Sequence, residues 1–315
     1  MVLGPLRDRH PGRVTGPLAA IDCGTNTIKL LIGTLPDVAV RESRMVRLGQ
    51  GVDKTGRLAD EALARTFAAI DEYAVLIAAH GVPPSRVRFC ATSATRDSAN
   101  ASVFAAGVHA RLGVWPEVLS GAEEAALSFD GAVRNLASPP AAPVLVVDIG
   151  GGSTELILGS SSPAAAHSMD IGSVRLHERH LHSDPPTAAE VAACVADIDA
   201  HLDACPVPPA GAATVVGVAG TVTTVAAGVL DLPAYDREAI DQQVLAVEDV
   251  HALVSRLVSM TVEERLALPW MHPGRADVID AGALILSRVL ARASVPSLVV
   301  SESDILDGIA WSLVS

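Results

Sequence analysis

Two stretches, IDCGTNTIKLLIG at residues 21–33 and VDIGGGSTELILG at residues 147–159, decide the fold of this chain. Laid over each other, they match at an aspartate, two glycines and a leucine: Asp22 and Asp148, Gly24 and Gly150, Gly33 and Gly159, Leu30 and Leu156. The offset is 126 residues, which is the length of a domain and not the period of a solenoid. This internal repeat predicts two similar domains within the 315 residues.

The same order of elements surrounds both copies. Each half begins with three short apolar or alternating runs, which predict a three-stranded start, and strands then alternate with helices. In the first half, strands are predicted at 17–22, 26–35, 38–48, 86–91 and 115–119, and helices at 60–80, 99–112 and 122–136. In the second half, strands are predicted at 144–148, 154–159, 164–171, 213–218 and 297–301, and helices at 187–204, from 221, and at 248–260, 275–293 and 304–313.

This alternation predicts an α/β fold with a mixed sheet in each half. The segment 137–143 is rich in Ala, Ser and Pro and is interpreted as a linker. The predicted divisions are a flexible tail at 1–16, a first domain at 17–136 and a second domain at 137–315.

Composition excludes several classes of function. Half of the residues are hydrophobic and the net charge is −13, which opposes general binding to nucleic acid or to an anionic membrane. No apolar run reaches the length of a membrane span, and the polar opening lacks the apolar centre of a secretory signal. The four cysteines form no C-x-x-C pair, so reduced thiols and a cytoplasmic location are expected.

Each copy of the repeat has the features of a phosphate-binding turn. An aspartate ends a strand, small residues follow, and hydroxyl side chains begin the next strand. Glycines let backbone N–H groups approach an anion, and hydroxyls add further donors. The candidates are Gly24, Thr25 and Thr27 in the first copy, and Gly150, Gly151, Gly152, Ser153 and Thr154 in the second. The alternative is a pair of β-hairpins that need glycine only for positive φ.

A third candidate lies at 215–227, where an apolar strand ends at Gly220 and a helix begins near Thr221. The free N–H groups and positive dipole of a helix start attract anions. Alone, the segment is equally typical of an ordinary strand-to-helix turn. Together with the two copies of the repeat, it completes a ring of loops that face phosphate.

Four motifs carry a resemblance to a known family: AAIDCGTNTIKLLI at 19–32, ATSATRDSAN at 91–100, LSGAEEAALSF at 119–129 and DIGGGSTEL at 148–156. From about residue 17 to 315, the chain resembles the exopolyphosphatase and guanosine pentaphosphate phosphatase family. That family belongs to the superfamily of actin, sugar kinases and chaperone ATPases. The resemblance implies two duplicated actin-like or sugar-kinase-like (ribonuclease H-like) domains that close over phosphate in a cleft between them.

The resemblance also implies roles for particular residues. Glu124 would be the base that activates the attacking water, Asp148 and Glu155 would hold Mg²⁺ or Mn²⁺, and Arg96 would bind phosphate. The other substrate-binding residues implied by the matching motifs are Asp22, Asn26 and Lys29, with the glycines and hydroxyls of the turns. Without the family, Glu123 and Glu124 are better explained as first-turn residues that favour a helix dipole.

Some positions depart from the family pattern. Long members often carry Arg where this chain has Ala126, and Ser where it has Ala219, so substrate contacts are expected to differ. Their additional helical domains would follow the end of this sequence, which favours short chains as substrate. HERHLH, at 177–182, lacks zinc-protease spacing and is interpreted as a solvated helix end. Arg175 and Arg179 are explained equally well by steering of a polyanion and by a surface location.

The sequence therefore predicts a phosphoanhydride hydrolase that releases terminal orthophosphate from inorganic polyphosphate. Guanosine pentaphosphate is the first alternative substrate, because its hydrolysis would use the same residues. An ATP-dependent kinase or ATPase and a non-catalytic polyphosphate-binding regulator are the other classes. A homodimer is also expected, although the sequence defines no interface.

Overall fold

A computed structural model of the chain describes residues 16–91, 93–96 and 98–314. Of the predicted tail at 1–16, all but Gly16 lies outside the described residues. Two mixed sheets form the frame of the molecule, one from each copy of the repeat. The predicted α/β fold with a mixed sheet in each half is confirmed.

The first sheet has the order β3-β2-β1-β4-β5. Its strands are β1 (Leu18–Cys23), β2 (Thr27–Thr34), β3 (Asp37–Met45), β4 (Val87–Ala91) and β5 (Glu117–Val118). The three strands of the opening are antiparallel, while β4 and β5 continue from β1 in parallel. All six residues of β1 are buried, because helices cover both faces of this central strand.

The second sheet repeats this arrangement and adds one edge strand, in the order β10-β11-β9-β6-β7-β8. Its strands are β6 (Val144–Ile149), β7 (Thr154–Gly159), β8 (Pro163–Met169), β9 (Thr214–Val218), β10 (Val244–Ala246) and β11 (Ser297–Val300). β6, β7 and β8 are antiparallel neighbours, and β9 lies parallel to β6 as β4 does to β1. The internal repeat found in the sequence is therefore a repeat of topology. β10 was not predicted, because three residues give no periodicity to read.

The α-helices of the first half are α1 (Val52–Thr55), α2 (Asp60–Ala79), α3 (Ser93–Arg96), α4 (Ala101–Leu112) and α5 (Gly121–Arg134). Those of the second half are α6 (Ser173–His180), α7 (Ala188–Ala204), α8 (Ala219–Val229), α9 (Arg237–Ile240), α10 (Val247–Ser259), α11 (Val262–Leu266), α12 (Ile279–Ala293) and α13 (Ile305–Ser312). α2 and α4 pack on the outer face of the first sheet, and α7, α8, α10 and α12 pack with the second.

Two helices cross between the halves of the molecule. α5 covers the inner face of the second sheet, whereas α13 covers the inner face of the first, and the two helices pack against each other. Glycine makes this close crossing possible: a Cβ on Gly131 would lie 1.9 Å from the Asp304 carbonyl oxygen, and one on Gly308 would lie 2.0 Å from that of Leu127. Each of these helices covers the sheet of the other half. Together they join the two halves of the molecule, which are called its two lobes below.

Among the described residues, no helix combines the length and the apolar character needed to cross a bilayer.

Candidate active site

The cleft forms where β1 and β6 end, because both strands direct their carboxyl ends toward it. Asp22 lies one residue before the end of β1, and Asp148 has the same position in β6. The turns that follow touch each other: a Cβ on Gly151 would lie 3.1 Å from Thr25 Cβ and 3.2 Å from Asn26 Cβ. The two glycine turns therefore meet across the interface of the lobes.

A cleft opens between these turns. Most of the predicted site residues line it: Asp22, Gly24, Thr25, Asn26, Thr27, Lys29, Glu124, Asp148, Gly150, Gly151, Ser153, Glu155, Gly220 and Thr221. Residues separated by up to about 200 positions in the sequence thus come together in one place.

Three predicted residues do not line the cleft. The buried Thr154 hydroxyl donates to the Ile171 carbonyl at 2.7 Å, so it holds the second turn in place and is not directed at a ligand. Gly152 is buried, and its carbonyl accepts from Arg175 Nε at 2.8 Å. Arg96 contacts a residue that does line the cleft: its Nη1 donates to Glu124 Oε2 at 3.3 Å and to the Leu119 carbonyl at 3.0 Å.

Glu124 and Glu123 begin the same helix and have different surroundings. Ser120 and Glu123 form a reciprocal capping box at the start of α5, and Glu123 is exposed to solvent. Glu124, one residue later, is 94% buried and lines the cleft. The helix-start explanation therefore applies to Glu123, while Glu124 faces the site.

Four carboxyl groups share this cleft, and burial raises the pKa of each. The pKa of Asp22 rises to about 7, mainly through burial, and that of Glu155 rises to about 8 through burial and the nearby Asp148. Burial and Glu155 raise the pKa of Glu124 well above its ordinary value, while Arg96 opposes the shift. Burial also raises the pKa of Asp148, against a hydrogen bond from Ser128. The arrangement concentrates negative charge that a cation would stabilise.

Hydrogen bonds fix the orientation of two of these carboxylates. Ser128 Oγ donates to Asp148 Oδ2 at 2.6 Å, and Ser168 Oγ donates to Glu155 Oε1 at 2.7 Å. Asp22 Oδ1 is buried without a hydrogen-bond partner. Asp22, Asp148 and Glu155 thus each have at least one carboxylate oxygen that accepts no hydrogen bond from Ser128 or Ser168.

The matching positions of the two repeats carry opposite charges. Lys29 lies opposite Asp22 in the β1–β2 ladder, and Glu155 lies opposite Asp148 in the β6–β7 ladder. Lys29 Nζ is 2.5 Å from Asp304 Oδ2 and 3.7 Å from Asp22 Oδ2. Burial opposes its charge, but Asp304 and Asp22 raise the pKa of Lys29, so the ammonium stays charged in the wall of the cleft.

Comparison with known proteins identifies the family of this site. A model of the Ppx/GppA phosphatase family matches residues 31–315. The chain belongs to the Ppx/GppA phosphatase family. It is 50% identical to exopolyphosphatase 2 of Mycobacterium tuberculosis, over 94% of this chain and 98% of that protein.

Solved structures of Ppx/GppA proteins share the fold along almost the whole chain. The crystal structure of an exopolyphosphatase-like protein is 45% identical, with a TM-score of 0.91 over 94% of this chain and 98% of the other. An exopolyphosphatase from Cytophaga hutchinsonii is 29% identical, with a TM-score of 0.85 over 95% and 97% of the two chains. The predicted fold class, α/β with two similar mixed-sheet domains and a cleft between them, is confirmed.

The residues of this Ppx/GppA site suit a hard divalent cation. Asp148, Glu155 and Asp22 offer carboxylate oxygens, which Mg²⁺ and Mn²⁺ prefer. Within the described residues, no group of three or more His, Cys, Asp or Glu is close enough to form a complete protein cage. Mg²⁺ usually keeps several waters and binds through one or two carboxylates plus substrate phosphates, so it does not require such a cage.

The third loop of the Ppx/GppA site joins β9 to α8. Ala219 has φ of 66°, a left-handed conformation that is uncommon for residues other than glycine. The next residue, Gly220, lies under the guanidinium of Arg275: a Cβ there would be 2.4 Å from Nη2. The strained turn and the missing side chain therefore bring the start of α8 and a cation together at the cleft.

Sequence reasoning missed Arg275, which lines the cleft and donates from Nη1 to Thr224 Oγ1 at 2.9 Å. It was placed at the start of a helix predicted over 275–293, whereas α12 begins at Ile279. Its signal, a lone arginine before an apolar helix, does not distinguish a ligand contact from a surface residue. Ser128, Ser168 and Asp304 were missed for the same reason, since their partners are distant in sequence.

Proposed function

We propose that this member of the family is an exopolyphosphatase, which releases terminal orthophosphate from inorganic polyphosphate. One observation carries the proposal: Glu124 lies buried in the same cleft as the two glycine turns and as Asp148 and Glu155. Backbone N–H groups, hydroxyls and Lys29 supply donors for phosphoryl oxygens, and Glu124 supplies a base. The relatives named exopolyphosphatase support the same activity.

The proposed reaction is in-line attack of water on the terminal phosphorus. Glu124 accepts a proton from the water, the new P–O bond forms, and the bond to the bridging oxygen breaks, so that the shortened polyphosphate departs with that oxygen. Burial raises the pKa of Glu124 above its ordinary value, which makes its carboxylate a stronger proton acceptor. Phosphoryl transfer needs mainly positioning and charge stabilisation, which fixed N–H donors provide.

We propose that Asp148 and Glu155 hold Mg²⁺ or Mn²⁺ beside the scissile phosphate. When bound, the metal would neutralise charge on the transferred phosphoryl group. Ser128 and Ser168 hold the two carboxylates in place through the hydrogen bonds described above. Arg96, through its contact with Glu124, keeps positive charge next to the base.

Glu124→Gln tests the proposed base. Removing a general base typically lowers the rate by about 100- to 10,000-fold, and we expect phosphate release from polyphosphate of defined length to fall within this range. The fold should persist, because glutamine is isosteric and removes a charge that burial disfavours. Phosphate release and thermal unfolding are measured together.

Glu123→Gln is the matched control, since this neighbour caps α5 and is exposed. Its phosphate-release rate should stay within about threefold of the parent protein, because a cap contributes about 1 kcal/mol to stability and does not touch substrate. An unchanged rate in Glu124→Gln would remove the assignment of the base.

Guanosine pentaphosphate remains the second candidate substrate, and a specific observation favours it. A second cleft joins the first at Lys29, Gly220 and Arg275. Its lining is mainly apolar and includes Met45, Tyr235, Trp270, Met271 and Pro273. Such a surface would accept an organic group attached to a phosphate chain, whereas bare polyphosphate has none.

Parallel assays with polyphosphate, guanosine pentaphosphate and ATP would rank the candidate substrates. ATP as the best substrate would favour the ATPase or kinase class, and binding of polyphosphate without turnover would favour a regulator. The homodimer and the cytoplasmic location stay predictions.

A further inference from the structure

Arg175 connects the second glycine turn to the opposite lobe. It lies in the first turn of α6, and its side chain is only 13% exposed. Its backbone N–H donates to the Gly151 carbonyl at 3.1 Å, and its Nε donates to the Gly152 carbonyl at 2.8 Å. Its Nη1 donates to Asp53 Oδ1 at 2.7 Å. One side chain therefore holds both the turn and a carboxylate of the first lobe.

Asp53 is in turn connected to the first glycine turn. It belongs to α1, which follows the segment 46–51. The backbone N–H of Gly49 donates to the Thr25 carbonyl at 2.9 Å. The N–H groups of Val46 and Arg47 donate to the Asn26 carbonyl at 3.0 and 2.9 Å. The segment before Asp53 is thus attached to the same turn that contacts Gly151.

We propose that Arg175 and Asp53 are a positioning pair, which sets the spacing of the two glycine turns so that both grip the same phosphate chain. Neither side chain touches the reacting atoms. The inference goes beyond the proposed function, and it rests on that function for its choice of substrate. Positioning matters here because a misplacement of about 1 Å can lower a rate by about 100-fold.

The guanidinium group is suited to this role because its donors lie in a rigid plane and reach two acceptors at once. Lysine would place one ammonium between the carbonyl and the carboxylate without fixing their geometry. The alternative interpretations of Arg175, a surface location and steering of a polyanion, do not require contact with the turn.

Arg179 provides the matched control. It contacts the same carboxylate, with Nε 2.7 Å from Asp53 Oδ2 and Nη2 2.9 Å from Oδ1. Its Nη1 donates to the Asp170 carbonyl at 3.4 Å and not to the glycine turn. Arg179 lies in α6, as Arg175 does, and Arg179→Gln likewise removes a cation that contacts Asp53. It leaves the bond between Arg175 and Gly152 in place.

The experiment compares Arg175→Gln, Arg175→Lys and Arg179→Gln by steady-state phosphate release from polyphosphate of defined length. We expect kcat to fall about 30- to 100-fold in both Arg175 variants, with a smaller change in KM, because the transition state depends most on alignment. Arg179→Gln should stay within about threefold. Asp53→Asn combined with Arg175→Gln should cost little more than Arg175→Gln alone, as expected for residues that act as a unit.

Equal losses in Arg175→Gln and Arg179→Gln, or full activity in Arg175→Gln, would overturn the inference and leave the proposed function intact. If the parent protein releases no phosphate, a binding measurement takes the place of the activity measurement. Tripolyphosphate binding in the presence of Mg²⁺, measured by calorimetry in the Glu124→Gln background, should weaken about tenfold with Arg175→Gln and not with Arg179→Gln. Equal binding by all three proteins would reject the positioning pair.

Discussion

The two strand-turn-strand elements have the same backbone and opposite charges at one position. Lys29 faces Asp22 across the first ladder, while Glu155 faces Asp148 across the second. The first element has its own cation and a second carboxylate, Asp304, to balance it. The second has two carboxylates, which accept hydrogen bonds from Ser128 and Ser168. The turns of the two elements are alike, and the charge beside them differs: a lysine stands opposite Asp22 and a glutamate opposite Asp148.

The largest effect expected from this comparison concerns stability. Lys29→Met would leave Asp22 and Asp304 buried without their cation, and we expect the free energy of unfolding to fall by about 3 kcal/mol. Glu155→Gln removes a buried like charge, so the metal-free protein should keep or gain stability. Urea unfolding in EDTA measures both. If Lys29→Met and Glu155→Gln lowered the free energy of unfolding equally, the predicted difference between the two elements would be wrong.

The second effect is a dependence on pH. Folding raises the pKa of Asp22 to about 7 and that of Glu155 to about 8, so the folded protein binds more protons than the unfolded chain between about pH 4.5 and 8. Stability of the metal-free protein should therefore fall as pH rises through this window, by at most about 1.4 kcal/mol per pH unit for each group.

Mg²⁺ should offset this loss, because it binds the charged carboxylates. Thermal unfolding with EDTA or Mg²⁺ is compared at pH 5.5 and pH 8, and the gain from Mg²⁺ should be larger at pH 8. Glu155→Gln is the control, since it should reduce both the slope and the gain. A gain from Mg²⁺ that is independent of pH would contradict the placement of the metal at these carboxylates.

The smallest effect separates two neighbouring hydroxyls of the second turn. Thr154→Val removes the hydrogen bond to the Ile171 carbonyl and should lower the free energy of unfolding by about 1 kcal/mol, with kcat/KM within about twofold. Ser153→Ala removes a hydroxyl that lines the cleft and hydrogen-bonds Glu155, and it should lower kcat/KM about tenfold. Chemical unfolding and phosphate release are measured on both variants. The reverse pattern would assign substrate binding to Thr154.

The sequence predicted much of this comparison, because a repeat of 126 residues is visible without coordinates. It identified Asp22, Asp148 and the glycines, since turns of small residues after apolar runs are local signals. It also placed Lys29 and Glu155 in the site, but the difference between them depends on Asp304, Ser128 and Ser168. Those partners come from other elements, and no local pattern marks them.

The sequence could not assign Arg175 and Arg179. A free surface location was one of two interpretations, yet both arginines bind Asp53 in the opposite lobe. Contacts between lobes depend on how two complete domains meet, and the periodicity within one helix carries no information about that. Thr154 shows a different limit of the sequence. It belongs to a correctly predicted turn, but its hydroxyl donates to the Ile171 carbonyl and does not line the cleft.

The crossing of α5 and α13 has a consequence for biosynthesis. Asp304 and Asp307, the partners of Lys29 and Arg41, lie at the start of α13, which is translated after all the strands of both sheets. Until that segment emerges, the inner face of the first sheet lacks its cover and Lys29 lacks Asp304, although the glycine turn beside it is already translated. The cleft can therefore take its final form only after translation has reached α13.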